Sequence, residues 1–204
     1  MAIFIHENDL PSNIVLSGDL AIDTETMGLN HHRDRLCVLQ ISDGRGDAHL
    51  IKFTKDSYQQ AQNLKELLSD SNRCKIFHFA RFDIAAIEYN LNIQLDNIYC
   101  TKIASKLART YTDSHGLKEL CRDMLGVQIS KQQQSSDWGD SSLSKEQAEY
   151  AANDVLHLHA LRNKLNKILV REGRMEIAQK CFDFVAYRAR LDLAGWPESD
   201  IFAH

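Results

Sequence analysis

At 204 residues, with 44% hydrophobic and 25% charged positions, the chain suits one domain around one core that needs no disulfide or metal staple. Its formal net charge of −4 argues against a nucleic-acid binder of the strongly basic kind, but not against an enzyme whose acidic site is screened by metal ions. The longest apolar runs fall far short of the ~20 residues of a membrane span, so no membrane association is expected.

The N-terminal Met1-Ala2-Ile3-Phe4-Ile5-His6-Glu7 has no basic stretch, long apolar region or small-residue cleavage site, and the expected location is cytoplasmic. The first strand expected is Leu20-Ala21-Ile22-Asp23, a short apolar run ending in acid. Leu36 to Ile41 and Ala48 to Ile51 flank Asp43-Gly44-Arg45-Gly46-Asp47, which is turn chemistry for a hairpin. A helix is expected around Tyr58 to Leu68, then a strand over Lys75 to Phe79 running into a helix through Ile84, Ile87 and Leu91. Asn97 to Cys100 reads as the last strand.

The second half reads as helices. Gly116 to Leu125 carries apolar residues at Leu117, Leu120, Cys121, Met124 and Leu125, with Gly126 as its stop. Ser144-Lys145-Glu146-Gln147 is a capping box that opens a long helix to about Val170, with Ala148, Ala151, Val155, Leu158, Leu165 and Leu169 on one face. Gly173 breaks it, and a further helix runs to about Leu193. A strand meander, then alternating strands and helices, then helices alone make a mixed-sheet α/β pattern. The only prolines, Pro11 and Pro197, lie near the ends, and no linker or repeat divides the chain. Cys37, Cys74, Cys100, Cys121 and Cys181 are odd in number and lack Cys-x-x-Cys spacing, so they read as core residues in a reducing compartment.

Three constellations can carry chemistry. In Asp23-Thr24-Glu25 the two acids share one side of an extended strand, where they repel unless a proton or a divalent cation intervenes. Magnesium and manganese prefer such oxygen ligands. Alone, the pattern reads more readily as a solvated strand end. Asp83, early in its helix, reads alone as an acid placed at the positive end of the helix dipole. Tyr150 and Asp154 stand four apart and stack on the flank of an apolar stripe, either as an exposed polar pair or as a half-covered carboxylate that needs a partner. His157 and His159 point different ways and read as surface or packing residues, and His31-His32 as a solvated loop. Gly44-Arg45-Gly46 sits in a hairpin and not at a strand-to-helix turn, against a nucleotide-cofactor site.

In order and spacing the three constellations resemble the DEDD superfamily of 3′→5′ exonucleases. The first motif matches as Ile22-Asp23-Thr24-Glu25-Thr26-Met27-Gly28-Leu29, the second as His78-Phe79-Ala80-Arg81-Phe82-Asp83, the third as Tyr150-Ala151-Ala152-Asn153-Asp154. The resemblance sharpens to ribonuclease D through Asp34 to Gln40, Leu117-Lys118-Glu119-Leu120, and the run from Lys131 through Ser136-Asp137-Trp138 to Leu143-Ser144. It covers roughly residues 15 to 165 of a chain read as a single exonuclease domain, 1–204. Tyr150, four before the last aspartate, points to the tyrosine branch; the histidine branch would have His where Glu149 stands.

The resemblance implies an α/β ribonuclease-H-like (DnaQ-like) fold, with a mixed central sheet flanked by helices and a helical C-terminal tail over about 174–204. It implies two divalent cations, Mg2+ or Mn2+. Asp23, Glu25 and Asp154 would hold one, and Asp23 would bridge to the second, with Asp83 completing the shell. Tyr150 would act beside them. For substrate it implies Thr24, a Gly28 too small to block a nucleotide, a Leu29 wedge, His78 and Phe82 at the sugar, and Lys131, Asp137 and Trp138 closing over the 3′ end. Gly28 and Leu29 also read as a turn and a core leucine. The implied partner is nucleic acid, single-stranded RNA 3′ ends before DNA, with a non-catalytic binding protein as a further alternative. Longer ribonuclease D proteins carry helical HRDC domains, where this chain is expected to have only its tail.

Overall fold

The computed structural model describes residues 2–130, 132–133 and 135–203. Its centre is a six-stranded mixed sheet of β1 (Ile3–Glu7), β2 (Leu20–Thr26), β3 (Leu36–Ser42), β4 (Ala48–Lys52), β5 (Lys75–Phe77) and β6 (Ile98–Cys100), in the order β1-β4-β3-β2-β5-β6. The expected meander β2-β3-β4 is antiparallel, whereas β1 joins β4, β5 joins β2 and β6 joins β5 in parallel. All seven residues of β3 are buried, which is why it reads as a continuous apolar run at the sheet centre. The β3-β4 turn needs left-handed backbone at Gly44 (φ 80) and Gly46 (φ 100), which glycine adopts without steric cost.

Strand β1 was not expected. It is an edge strand whose partner lies more than forty residues ahead, and its short apolar run Ile3-Phe4-Ile5 neither alternates nor is buried, Phe4 and Ile5 being exposed. It is fixed across the sheet: His6 Nε2 and His49 Nδ1 share a hydrogen bond of 3.0 Å, and the Phe4 ring stacks on His49.

The helices are α1 (Gln62–Ser69), α2 (Ala80–Leu91), α3 (Thr101–Ala108), α4 (Leu117–Leu120), α5 (Lys145–Leu156), α6 (Leu158–Arg171) and α7 (Met175–Leu193). A π-helical turn, Cys121–Leu125, continues α4 to the expected stop at Gly126, whose φ is 72. The capping box of α5 is present: Gln147 N–H donates to Ser144 Oγ at 3.1 Å and Ser144 N–H to Gln147 Oε1 at 2.9 Å. The single helix expected to Val170 is instead broken at His157 (φ −102, ψ −9) into α5 and α6, because the two halves follow different neighbours, α5 the sheet and α6 the helix α3. The C-terminal helix ends at Leu193, as expected, but residues 194–203 form turns and not more helix.

Helix α5 crosses strands β1 to β4 with Ala148, Ala151 and Ala152 buried beneath it, small side chains that let helix and sheet approach closely. Helix α2 packs on β2 and β3 and is in turn covered by α7. The α2-α7 contact is clamped by a two-pronged pair, Arg190 Nε and Nη2 to Glu88 Oε2 and Oε1 at 2.9 and 2.8 Å. All five cysteines are free thiols, with Cys37, Cys100 and Cys121 buried, as expected of core residues. No described helix is long and apolar enough to cross a membrane.

Candidate active site

Strand β2 alternates its side chains between two layers. Asp23 and Glu25 point towards α5, where they meet Asp154; one carboxylate oxygen from each of the three lies within 4.8 Å of the others. Thr24 points the other way, towards α2. It is buried, and its hydroxyl donates to Asp83 Oδ1 at 2.6 Å. Thr24 also lines the cleft in which its substrate role is expected, with its hydroxyl engaged by Asp83.

Four carboxyls crowded here cannot all ionise cheaply. Burial, then Asp83, Asp154 and Glu25, push Asp23 well above the usual carboxylate range. Burial, then Asp154 and Asp83, push Glu25 up to about 9. Asp83 rises to about 7 through burial, opposed by the Thr24 hydrogen bond. Asp154 also rises to about 7 through burial, opposed by the Tyr150 hydroxyl. Asp83, in the first turn of α2 as the helix-start reading has it, is also buried among the other carboxyls. Tyr150, half-buried, is raised above an ordinary phenol by burial first and then by Asp154, Glu25 and Asp23; it stays protonated and serves as a donor.

These carboxyls line a cleft of about 700 Å³ together with Gly28, Leu29, His78, Phe82, Trp138 and Tyr150. Leu29 is 84% exposed and therefore no core leucine. A Cβ on Gly28 would collide with the Asp34 carboxyl, so the glycine makes room for Asp34 and not only for a ligand. His78 Nδ1 shares a hydrogen bond of 2.9 Å with Thr101 Oγ1. Trp138 is buried with its ring 6.0 Å from that of Tyr150, held by Lys52 Nζ to its carbonyl at 3.4 Å. Asp137 is exposed and not part of the cleft lining; its Oδ1 accepts from Gly139 N–H at 2.8 Å, so it shapes the loop that carries Trp138. Lys131 lies outside the described residues. His31 and His32 are not a plain solvated loop: His31 packs its half-buried ring 4.6 Å from Phe82, and His32 meets Tyr89 edge-on. His157 and His159 are packing residues as expected, His159 Nε2 meeting the Asp19 carbonyl at 3.0 Å.

Sequence reasoning missed Phe79 and Lys102. Phe79 follows β5, sits at φ 68, ψ 43 as the residue before α2, and lines the cleft. Lys102 is the second residue of α3, just after β6, and places Nζ 4.0 Å from the Phe79 ring centroid. The available signal was positional: ligands in α/β sheets gather beyond the carboxyl ends of parallel strands, and β2, β5 and β6 all end here.

Comparison with known proteins agrees with this geometry. Residues 5–170 match a sequence family described as 3′-5′ exonuclease. Ribonuclease D of Granulibacter bethesdensis is 31% identical over 156 residues, 76% of this chain but 39% of that protein. DNA polymerase I of Aquifex aeolicus is 31% identical over 198 residues, 87% of this chain and 32% of that protein. The chain thus spans about two fifths or less of these relatives. Among solved structures, Brucella melitensis NrnC bound to pGG superimposes with a TM-score of 0.96 at 54% identity, covering 100% of this chain and 99% of that one. The same protein with bound Mg2+ gives 0.95 at 53% identity, covering 100% of both. Over most of its length the chain therefore belongs to the 3′-5′ exonuclease family.

Proposed function

We propose that the chain hydrolyses RNA from its 3′ end, releasing 5′-mononucleotides, with two divalent cations. The observation that carries this reading is the convergence of Asp23, Glu25 and Asp154 within 4.8 Å, with Asp83 beside them and Tyr150 one turn from Asp154. An all-oxygen donor set suits magnesium or manganese, and the upward push on all four carboxyls is the repulsion that a cation would relieve. The donor set therefore fits the group. Asp23, Glu25 and Asp154 would hold one cation, and Asp23 with Asp83 a second. Bound there, the cations supply Lewis acidity towards the phosphate and lower the pKa of the attacking water.

The chain's own residues do the rest. The Tyr150 hydroxyl donates to Asp154 and turns the attacking water towards phosphorus; as a firmly protonated phenol it orients and does not abstract. Thr24 holds Asp83 in place. Leu29, exposed on the cleft wall, is placed to separate the terminal base from its neighbour. A volume of about 700 Å³ is that of a small-ligand pocket, enough for the last nucleotides of a chain. The likeness to NrnC bound to pGG supports a nucleic-acid ligand in this cleft. A second reading, action on DNA, is favoured by the likeness to the Aquifex polymerase.

The test is 3′- and 5′-labelled RNA and DNA with magnesium, manganese or chelator, resolved by product length. Stepwise shortening of RNA from the 3′ end, abolished by chelator, is expected. Faster cleavage of matched DNA supports the second reading, and cuts within circular RNA reject an exonuclease altogether.

A further inference from the structure

Gln40 lies on β3 directly opposite Asp23 of β2. Opposed residues of an antiparallel pair share one face of the sheet, with Cβ atoms roughly 4.5–5.5 Å apart. The side chain is wholly buried, yet among the described residues neither its Nε2 nor its Oε1 has a hydrogen-bond partner. A buried amide left unbonded is costly, and native interiors rarely tolerate one without a ligand or an internal water. Of the neighbours that share its face, Val38 along β3 and Leu50 across on β4 are apolar and equally buried, while buried Ser42 is engaged by the Asp47 carbonyl and Gly44 N–H and buried Lys52 by the Trp138 carbonyl, so neither meets the amide.

The face it occupies is the one that α5 closes with Ala148, Ala151 and Ala152, and the same helix brings Asp154 to Asp23. Asp23 has acidic neighbours in Asp83, Asp154 and Glu25 and a donor in the Thr24 backbone N–H. A carboxylate that ligates cations through some of its lone pairs is held in orientation by donors on the others. Gln40 is the unused donor beside it.

We infer that Gln40 is a positioning residue for Asp23. With the cations bound, its amide N–H donates to the Asp23 carboxylate, directly or across one internal water, and sets the angle at which Asp23 presents its oxygens. The inference rests on the metal-site reading above. Trp138 Nε1, a buried donor also without a partner among the described residues, lines the cleft and belongs to the site already described.

The experiment uses the full chain and the variants Gln40→Met, Gln40→Leu and Asp23→Asn. Three quantities are read: Mn2+ affinity by calorimetry, melting temperature in chelator, and kcat and KM separately. Both Gln40 variants are expected to melt in chelator at or above the wild-type temperature, because an unbonded amide has been replaced by an apolar group. They are expected to bind Mn2+ ~10–100-fold more weakly, the usual cost of losing an outer hydrogen bond to a ligand, and to lose kcat with KM little changed. A merely structural residue would shift melting and leave metal affinity alone. Wild-type-like Mn2+ affinity in both variants overturns the inference. So does lower melting of both in chelator, since the amide would then be bonded in the metal-free fold. If the wild type itself binds no Mn2+, the metal-site reading fails and takes this inference with it; if the wild type binds and Asp23→Asn does not, only Gln40 is being judged.

Discussion

Tyr150 and Phe79 show how single side chains divide the work of the cleft. Tyr150→Phe keeps the ring against Trp138 and removes only the hydroxyl that faces Asp154. Turnover should fall ~10²-fold, the low end of what a positioned proton-handling group contributes, while Mn2+ affinity stays near wild type. Asp23→Asn should instead abolish metal binding. Calorimetry and single-turnover rates on both variants separate the two roles, and a Tyr150→Phe enzyme with full turnover would make the tyrosine a packing residue. Phe79 holds a left-handed backbone that costs a residue with a Cβ roughly 1–2 kcal/mol. Asparagine tolerates that conformation, so Phe79→Asn relieves strain while giving up the Lys102 contact, worth about 0.5–1 kcal/mol. Stability should change by no more than ~1 kcal/mol while KM rises, because the wall of the cleft is lost. A loss above ~2 kcal/mol in urea unfolding would show that the ring is a structural plug. Strain and cation contact alike escape a sequence reading, since nothing in His78-Phe79-Ala80 marks a positive φ. The acids were legible through the order and spacing of three motifs together; strand alternation and helical spacing placed their side chains but left each one alone open to a purely structural reading.

Helix α2, which carries Asp83, does not stand by itself. Glu88 on its buried side takes both prongs of Arg190 and also accepts Leu95 N–H at 2.8 Å, which ties α2, the turn after it and α7 together. Near its start, Arg81 bonds both oxygens of Asp192 and reaches the Pro197 carbonyl. Arg190→Leu leaves a buried carboxylate with one backbone donor. The expected cost is ~2–4 kcal/mol, reduced from a fully enclosed pair because the arginine keeps some solvent contact. It is readable as a fall in urea midpoint at unchanged slope; a loss below ~1 kcal/mol would mean that α7 docks by its apolar face alone. Elements defined by their own periodicity, such as the capped α5 and the Gly-turned hairpin, were read correctly from sequence. Those defined by distant partners were not: β1 depends on β4, α3 on α6 and α7, and the break at His157 on where α5 leaves the sheet.

For the molecule as a whole, the four acids make metal, proton and fold one linked system. Asp83 and Asp154 near 7 and Glu25 near 9 all lie above the value of about 4 for an unfolded carboxyl. Their neutral forms favour the metal-free fold, so that contribution is complete below about pH 4 and is lost as pH rises through 7 and on to 9. Cations displace those protons. Between pH 6 and 9 the chelated protein should therefore lose stability while the melting-temperature rise given by Mg2+ grows; a rise that does not vary with pH would show that the acids are already ionised. The overall architecture could be anticipated from chain order, but the crowding behind these shifts could not, because it arises only when β2, α2 and α5 meet. The division of β2 between two layers has a genetic consequence. Asp23 and Glu25 serve one side and Thr24 the other, so losing or gaining one codon between Leu20 and Asp23 turns both acids into the α2 layer and offers a threonine to the cations. Codon-deletion scanning should find this stretch intolerant, while the Asp43–Asp47 turn accepts an added residue with its nuclease activity intact.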